Sequence, residues 1–157
     1  MFAVRFEQVV WPDRKMNKLF QFNEFVELGN IFMECEAYLI ALEYLDKAIS
    51  LSYLTVNKHR LIEAYDLRGK TKSFLGKYTE SIIDYSKAIE LDPKDSYLYF
   101  FRGMSYDYLN IKEEALKNMK FSVKLDPCNQ LAVDMVNYLE GKWSAYGIKK
   151  RANCPQF

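Results

Sequence analysis

Large and small apolar residues recur along this chain at helical spacings. Tyr99, Gly103 and Tyr106 fall four and three residues apart, and Ala115, Met119 and Ser122 repeat the pattern further on. Each set puts its members on one face of an α-helix, so the stretch predicts two consecutive amphipathic helices. Earlier stretches carry the same double pattern: Tyr65 and Gly69 precede Ser81, Tyr85 and Ala88, while Phe25, Leu28, Gly29 and Phe32 precede Ala41, Leu45 and Ala48. Asp92-Pro93 and Asp126-Pro127 each end a second helix, because proline lacks a backbone donor and disfavours helix in the residue before it. Gly76, just before Lys77-Tyr78, predicts the short turn between the helices of one pair.

These pairs are copies of one unit. Pro93 and Pro127 are 34 residues apart, as are Gly69 and Gly103. From Gly29 to Gly69 is 40 residues, so six extra residues sit between the first and second copies, within 53–61. The copies span 22–55, 62–95 and 96–129. One helix pair cannot bury its apolar face alone, so stacking of the copies forms the core. Over 130–144 a further stripe, Ala132, Val136, Leu139 and Trp143, predicts a capping helix, with Asp134, Asn137 and Glu140 off the stripe. Residues 1–21 form an N-terminal arm or helical extension: Phe2, Val4 and Phe6 alternate like a strand, and Pro12-Asp13 can start a helix. Residues 148–157 form a basic flexible tail.

The period and its residues resemble the tetratricopeptide repeat family, in which large residues fall at repeat positions 4, 7, 11 and 24, small ones at 8, 20 and 27, and proline at 32. Arg68 and Lys72 depart from the pattern, and Tyr53 replaces the first proline, which predicts a longer second helix running into the insertion. The resemblance implies an all-α fold, a right-handed α-solenoid of antiparallel helix pairs. It also implies a concave groove lined by positions 2, 5, 6, 9, 12 and 13. Those positions hold Asn23, Val26, Glu27, Asn30, Met33 and Glu34 in the first copy. They hold Glu63, Asp66, Leu67, Lys70, Ser73 and Phe74 in the second, and Tyr97, Phe100, Phe101, Met104, Asp107 and Tyr108 in the third. Phe100, Phe101 and Tyr108 are surplus to the repeat core, so they predict an exposed aromatic binding patch unless the capping helix or the N-terminal arm covers them.

Relatives that grip the acidic tails of heat-shock chaperones use a clamp of Lys, Asn, Asn, Lys and Arg. Here Asn30 matches, whereas Val26, Leu67, Tyr97 and Phe101 stand at the other clamp positions. Five carboxylates (Glu27, Glu34, Glu63, Asp66 and Asp107) against Lys70 argue against an acidic ligand and for an apolar segment with basic residues. The size and apolar groove also resemble those of secretion chaperones that hold hydrophobic segments. The expected function is therefore a non-catalytic interaction module: an adaptor, scaffold or chaperone-like protein binding a protein or peptide ligand.

Composition narrows the alternatives. The 157 residues carry 22 Lys plus Arg against 21 Asp plus Glu, a near-balance that argues against a dedicated nucleic-acid binder. Neutrality is an average, because residues 22–147 carry −4 while both ends are basic. Those ends could visit the groove or drive self-association. No apolar run reaches the ~20 residues of a membrane span. Cys35, Cys128 and Cys154 are sparse, odd in number and without metal-ligand spacing, which suits unpaired thiols in a cytoplasmic location and no cofactor. Ala64 to Thr71 fits a relaxed phosphate-loop string, but a phosphate loop needs flexible backbone after a strand, and the repeat makes this stretch helical. A nucleotide-binding enzyme is accordingly a third choice. Cys154, fourth from the end behind Lys149-Lys150-Arg151, resembles a prenylation signal, and a membrane-tethered adaptor is the second. The chain's one histidine, His59, is expected in a solvated loop, and Glu113-Glu114 to open a helix, where the macrodipole favours acids.

Overall fold

Asp-Pro phrases and left-handed turns divide the chain into helix pairs. The structure is a computed structural model that describes residues 14–54 and 57–141. Among these residues seven α-helices follow one another: α1 (Arg14–Glu34), α2 (Tyr38–Ser50), α3 (Lys58–Phe74), α4 (Tyr78–Leu91), α5 (Ser96–Tyr108), α6 (Lys112–Leu125) and α7 (Gln130–Leu139). No strand occurs among the described residues, and each helix packs chiefly on its neighbours in the chain. The fold is an all-α solenoid of helix pairs, as the 34-residue period predicts.

The three turns within pairs have one construction. Glu36, Gly76 and Asn110 have positive φ (58°, 74° and 59°). Around each, two amides cap the first helix: Glu36 N–H donates to Met33 C=O and Ala37 N–H to Phe32 C=O, and the same bonds recur at Gly76–Lys77 and Asn110–Ile111. This is a Schellman cap, and only the middle turn uses glycine for it. Between pairs, the Asp92 and Asp126 carboxylates accept the amides of Lys94 and Cys128 (3.1 and 3.0 Å), so each Asp-Pro phrase folds its own exit turn. Asp95 and Asn129 then cap the next helices by accepting from Tyr97 N–H and Ala132 N–H.

Glycine at the crossing of each pair makes the close approach possible. A Cβ on Gly29 would lie 2.6 Å from Leu45, one on Gly69 2.8 Å from Tyr85, and one on Gly103 3.0 Å from Met119. Ala41, Ser81 and Ala115, with Ala48, Ala88 and Ser122, are fully buried on the second helices, so small residues fill both sides of the seam.

The structure corrects two local expectations. First, α2 ends at Ser50 and is no longer than α4 or α6. The chain turns through a 3-10 segment, Ser52–Leu54, and the insertion adds a first turn to α3, capped by Asn57 accepting from Arg60 N–H. His59 is exposed as expected but is helical, in that added turn. Second, Cys128 is disulfide-bonded while Cys35 is a free, exposed thiol, so the expectation of unpaired thiols fails at Cys128. Helix α1 begins at Arg14, directly after Pro12-Asp13, and runs on into the first repeat as the helical reading of that phrase expects; this places three of the four basic residues of 1–21 on α1. The strand pattern at Phe2–Phe6, Trp143, Cys154 and the 148–157 tail lie outside the described residues.

Arg68 and Lys72 occupy positions where large apolar residues are usual, and buried acid explains both. Asp84 is fully buried on α4, and Arg68 grips it with two hydrogen bonds (2.6 and 3.0 Å) while Lys72 adds a third at 2.8 Å. Arg68 also reaches Asp46 on the preceding pair at 2.9 Å. Burial alone would lower the Arg68 pKa, but hydrogen bonding and charge from Asp84 and Asp46 outweigh it and hold the guanidinium above its ordinary value. At the junction of α6 and α7 the corresponding residue is Val136, and Lys120 pairs with Glu140 at 2.6 Å.

Candidate functional site

The concave positions divide into plugs and exposed groups. Val26 (0% exposed) and Leu67 (6%) pack together with Phe22, Leu45 and Ala64. Phe100 is 9% exposed and packs with Met119 and Ala132. These three are therefore core residues, and the expectation of an exposed Phe100 is corrected. The physical reason is the seam between adjacent first helices: α1 against α3 and α5 against α7 leave a gap there that apolar side chains fill. Capping by α7 covers Phe100, with Met135, Val136 and Leu139 packed on the same cluster.

Phe101 is half-buried, its ring 5.4 Å from Phe100 and 6.1 Å from Tyr85, with the Lys70 ammonium 4.8 Å above it. Tyr97, Phe74 and Tyr108 are exposed at 56%, 64% and 62%. Two of them form a recurring element: Phe74 stacks on Tyr38 at 4.8 Å, and Tyr108, one repeat later, stacks on Tyr78 at 4.7 Å. Each pair joins the start of one second helix to the end of the next first helix, which holds the rings rigid while leaving a face open. Met33 and Met104 are partly buried against the neighbouring clusters and form the apolar floor.

The polar positions are more fully paired than their sequence suggested. Arg60, in the added turn of α3, donates to the Asn23 side chain and carbonyl (3.2 and 3.3 Å), and forms ion pairs with Glu27 (2.9 Å) and Glu63 (2.7 Å). Lys70 pairs with Asp66 at 2.6 Å, and Asp107 with Lys112 at 2.6 Å. The Asn30 amide donates to Glu34 at 3.1 Å. Ser73 lies 3.3 Å from Ser105, which takes a 2.9 Å hydrogen bond from Ser81. Five carboxylates thus face three cations, Arg60, Lys70 and Lys112, and the groove is less acidic than the repeat positions alone imply. Sequence reasoning missed Arg60 because the insertion displaces it from the 34-residue register.

Burial pushes the Asp66 carboxyl above its ordinary pKa against the pull of Lys70. Its second oxygen, Oδ1, is buried with no hydrogen-bond partner among the described residues. Burial likewise raises the Tyr85 phenol well above the usual tyrosine range. The Asp107 hydrogen bond keeps the Lys112 ammonium above its usual value, although Lys112 is exposed.

A second omission concerns α7. Residue 130 begins a fourth 34-residue register, and its concave positions include Leu131 (65% exposed), Asp134 and Tyr138 (53% exposed). Lys112 lies 5.9 Å from the Tyr138 ring centre, which ties this end of the concave face to Asp107. The phosphate-loop string from Ala64 to Thr71 lies wholly inside α3. Among the described residues no cluster of His, Cys, Asp and Glu is arranged to hold a metal, and no helix is long and apolar enough to cross a membrane.

Comparisons with known proteins agree with this architecture. A family model described as Tetratricopeptide repeat matches residues 62–95. "Protein STIP1 homolog" of Dictyostelium discoideum is 30% identical over 130 residues, covering 83% of this chain and 22% of that protein. The "UDP-N-acetylglucosamine--peptide N-acetylglucosaminyltransferase" of Giardia intestinalis is 32% identical over 87 residues, 54% of this chain and 6% of the enzyme. The chain thus spans less than a quarter of the length of either relative. Among solved structures, "First TPR of Spaghetti (RPAP3) bound to HSP90 peptide SRMEEVD" superposes with a TM-score of 0.69 at 20% identity, covering 78% of this chain and 92% of that one.

Proposed function

We propose, taking as premise that this chain is a tetratricopeptide repeat protein, that it is a non-catalytic interaction module holding a peptide or partner helix in its concave face. The observation that carries this is the row of exposed rings at concave positions: Phe74 and Tyr108, each braced by a stacked tyrosine, with Tyr97, continued on α7 by Tyr138. Aromatic side chains fixed in place while exposed are what a binding face needs, since their ordering entropy is already spent. The catalytic relative is matched over 6% of its length, and the one phosphate-loop string of this chain is helical, so the interaction reading is preferred over an enzymatic one.

The peptide is mainly apolar with a basic element. One structural neighbour is bound to the HSP90 peptide SRMEEVD, which is acidic and favours the opposite charge. Two features weigh against an acidic ligand here. Val26 and Leu67 occupy clamp positions as buried plugs, and the groove cations Arg60, Lys70 and Lys112 are engaged by carboxylates of this chain. An acidic tail would have to displace those pairs, whereas apolar residues need only cover the rings and a cation finds acceptors already in place.

Selection of a random dodecapeptide library on the full chain tests this. Enriched peptides should combine aromatic or aliphatic residues with Lys or Arg and lose binding to a Tyr97→Ser/Tyr108→Ser variant. Enrichment of acidic C-terminal sequences, or binding indifferent to both tyrosines, would refute it.

A further inference from the structure

We infer that residues 142–157 of this same chain dock on the C-terminal end of the concave face, between α5 and α7, and occupy part of the site until a partner displaces them. The inference rests on the concave face being a peptide site and adds an occupant to it. The first argument is chemical. The ligand proposed above is apolar with basic residues, and 142–157 has that composition: Lys142, Lys149, Lys150 and Arg151 with no acid, interleaved with Trp143, Tyr146 and Ile148.

Charge selects this end of the chain over the other. Residues 1–13 hold Arg5 against Glu7 and Asp13, since Arg14, Lys15 and Lys18 belong to α1. That arm has the wrong sign for a face whose concave positions, with Asp134 of α7 included, carry six carboxylates against Arg60, Lys70 and Lys112. The 142–157 segment has the right one.

Geometry places the segment at the site. α7 stops at a left-handed residue, Gly141 (φ 67°), whose amide donates to Tyr138 C=O, so the chain leaves α7 one turn beyond Tyr138. Adjacent helices lie roughly 8–10 Å apart, whereas sixteen extended residues reach about 50 Å. The segment can therefore cover Leu131, Tyr138, Tyr97 and Tyr108, which are exposed by 53–65%, with its basic run near Asp107 and Asp134.

The test uses the full chain in reducing buffer with Trp11→Phe, so that Trp143 is the sole tryptophan. Docking predicts blue-shifted Trp143 emission and a several-fold fall in acrylamide quenching compared with the unfolded chain. Both signals should be independent of protein concentration. Both should be lost in Tyr108→Ser/Tyr138→Ser and in Lys149→Glu/Lys150→Glu/Arg151→Glu, with helical circular dichroism retained. The charge-reversed chain should also bind library-selected peptides several-fold more tightly. Water-exposed Trp143 emission, shielding unaffected by either substitution set, or shielding that appears only on association would overturn the inference. Peptides that still require Tyr97 in that case would leave the groove itself standing; a docked tail with no selectable peptide would instead refute the groove as a partner site.

Discussion

Arg68 and Arg102 stand 34 residues apart and make the same pair of contacts. Arg68 reaches Asp84 on its own second helix and Asp46 on the preceding one. Arg102 reaches Asn118 at 2.9 Å on its own second helix and Ser86 at 3.0 Å on the preceding one. Asp46 and Ser86 hold equivalent positions, as do Asp84 and Asn118. One arginine therefore bolts each of the two internal junctions, charged at the first and mostly neutral at the second. Removing Asp84 leaves Arg68 and Lys72 without their buried acceptor. Asp84→Ala should cost about 3–5 kcal/mol, read as a fall in the urea midpoint at unchanged slope. A loss under 1 kcal/mol would show that water reaches the pair.

At Gly69 a Cβ would meet the Tyr85 ring at 2.8 Å, and that ring is itself immobilised in the core. Gly69→Ala should destabilise by roughly 1–3 kcal/mol through overpacking, despite alanine's better helix propensity. A stabilised variant would contradict the close crossing.

Glu36 holds the left-handed turn position that Gly76 fills in the next repeat. Glu36→Gly should stabilise by about 1 kcal/mol, since the strain of a Cβ there is relieved. Asn110→Gly should gain less, asparagine being tolerant of that conformation. Thermal melts of both variants check the order.

Phe100 and Tyr97 are three residues apart and should behave oppositely. Phe100→Ala should cost about 3–5 kcal/mol of stability. Tyr97→Ser should leave the melt nearly unchanged while weakening selected peptides at least several-fold. Equal effects on folding and binding for both would show that plug and binding face are not separate.

Asp66 is held above its ordinary pKa by burial, so its charged form is disfavoured in the folded state. The sign follows: its contribution is most favourable below the unfolded pKa and is lost as pH rises through the folded one. Asp66→Asn, a neutral isostere, should therefore compare better with the parent chain at pH 7 than at pH 3. A stability difference flat across that window would show that Lys70 fully compensates the burial.

The repeat period, the small residues at each crossing and the Asp-Pro exits were legible because each depends on residues close in sequence or in strict register. Gly76 announced its turn; Glu36 and Asn110 did not, since nothing in their side chains demands positive φ. The concave face was legible only in outline. Whether Val26, Leu67 and Phe100 point outward or sink between first helices depends on how closely neighbouring repeats approach, which a single repeat does not encode. Arg68 and Lys72 looked like departures because their acceptor, Asp84, lies on another helix. Arg60 was hidden by the insertion, and Leu131 and Tyr138 by treating 130–144 as a cap rather than the opening of a fourth register.

The bolt missing at the last junction has a consequence for the order of melting. In a stacked array each unit is held by its neighbours alone, so unequal junctions come apart in sequence. Where the earlier junctions have a partly buried arginine, α7 has Val136 and, besides its apolar contacts, the Lys112–Tyr138 contact and the Lys120–Glu140 pair, whose lysine is 54% exposed and open to screening by salt. Amides of α7 should exchange with solvent before those of α3 and α5, and faster as ionic strength rises. A peptide bridging α5 and α7 would slow that exchange, so occupancy at one end of the concave face would register as order in the terminal helix.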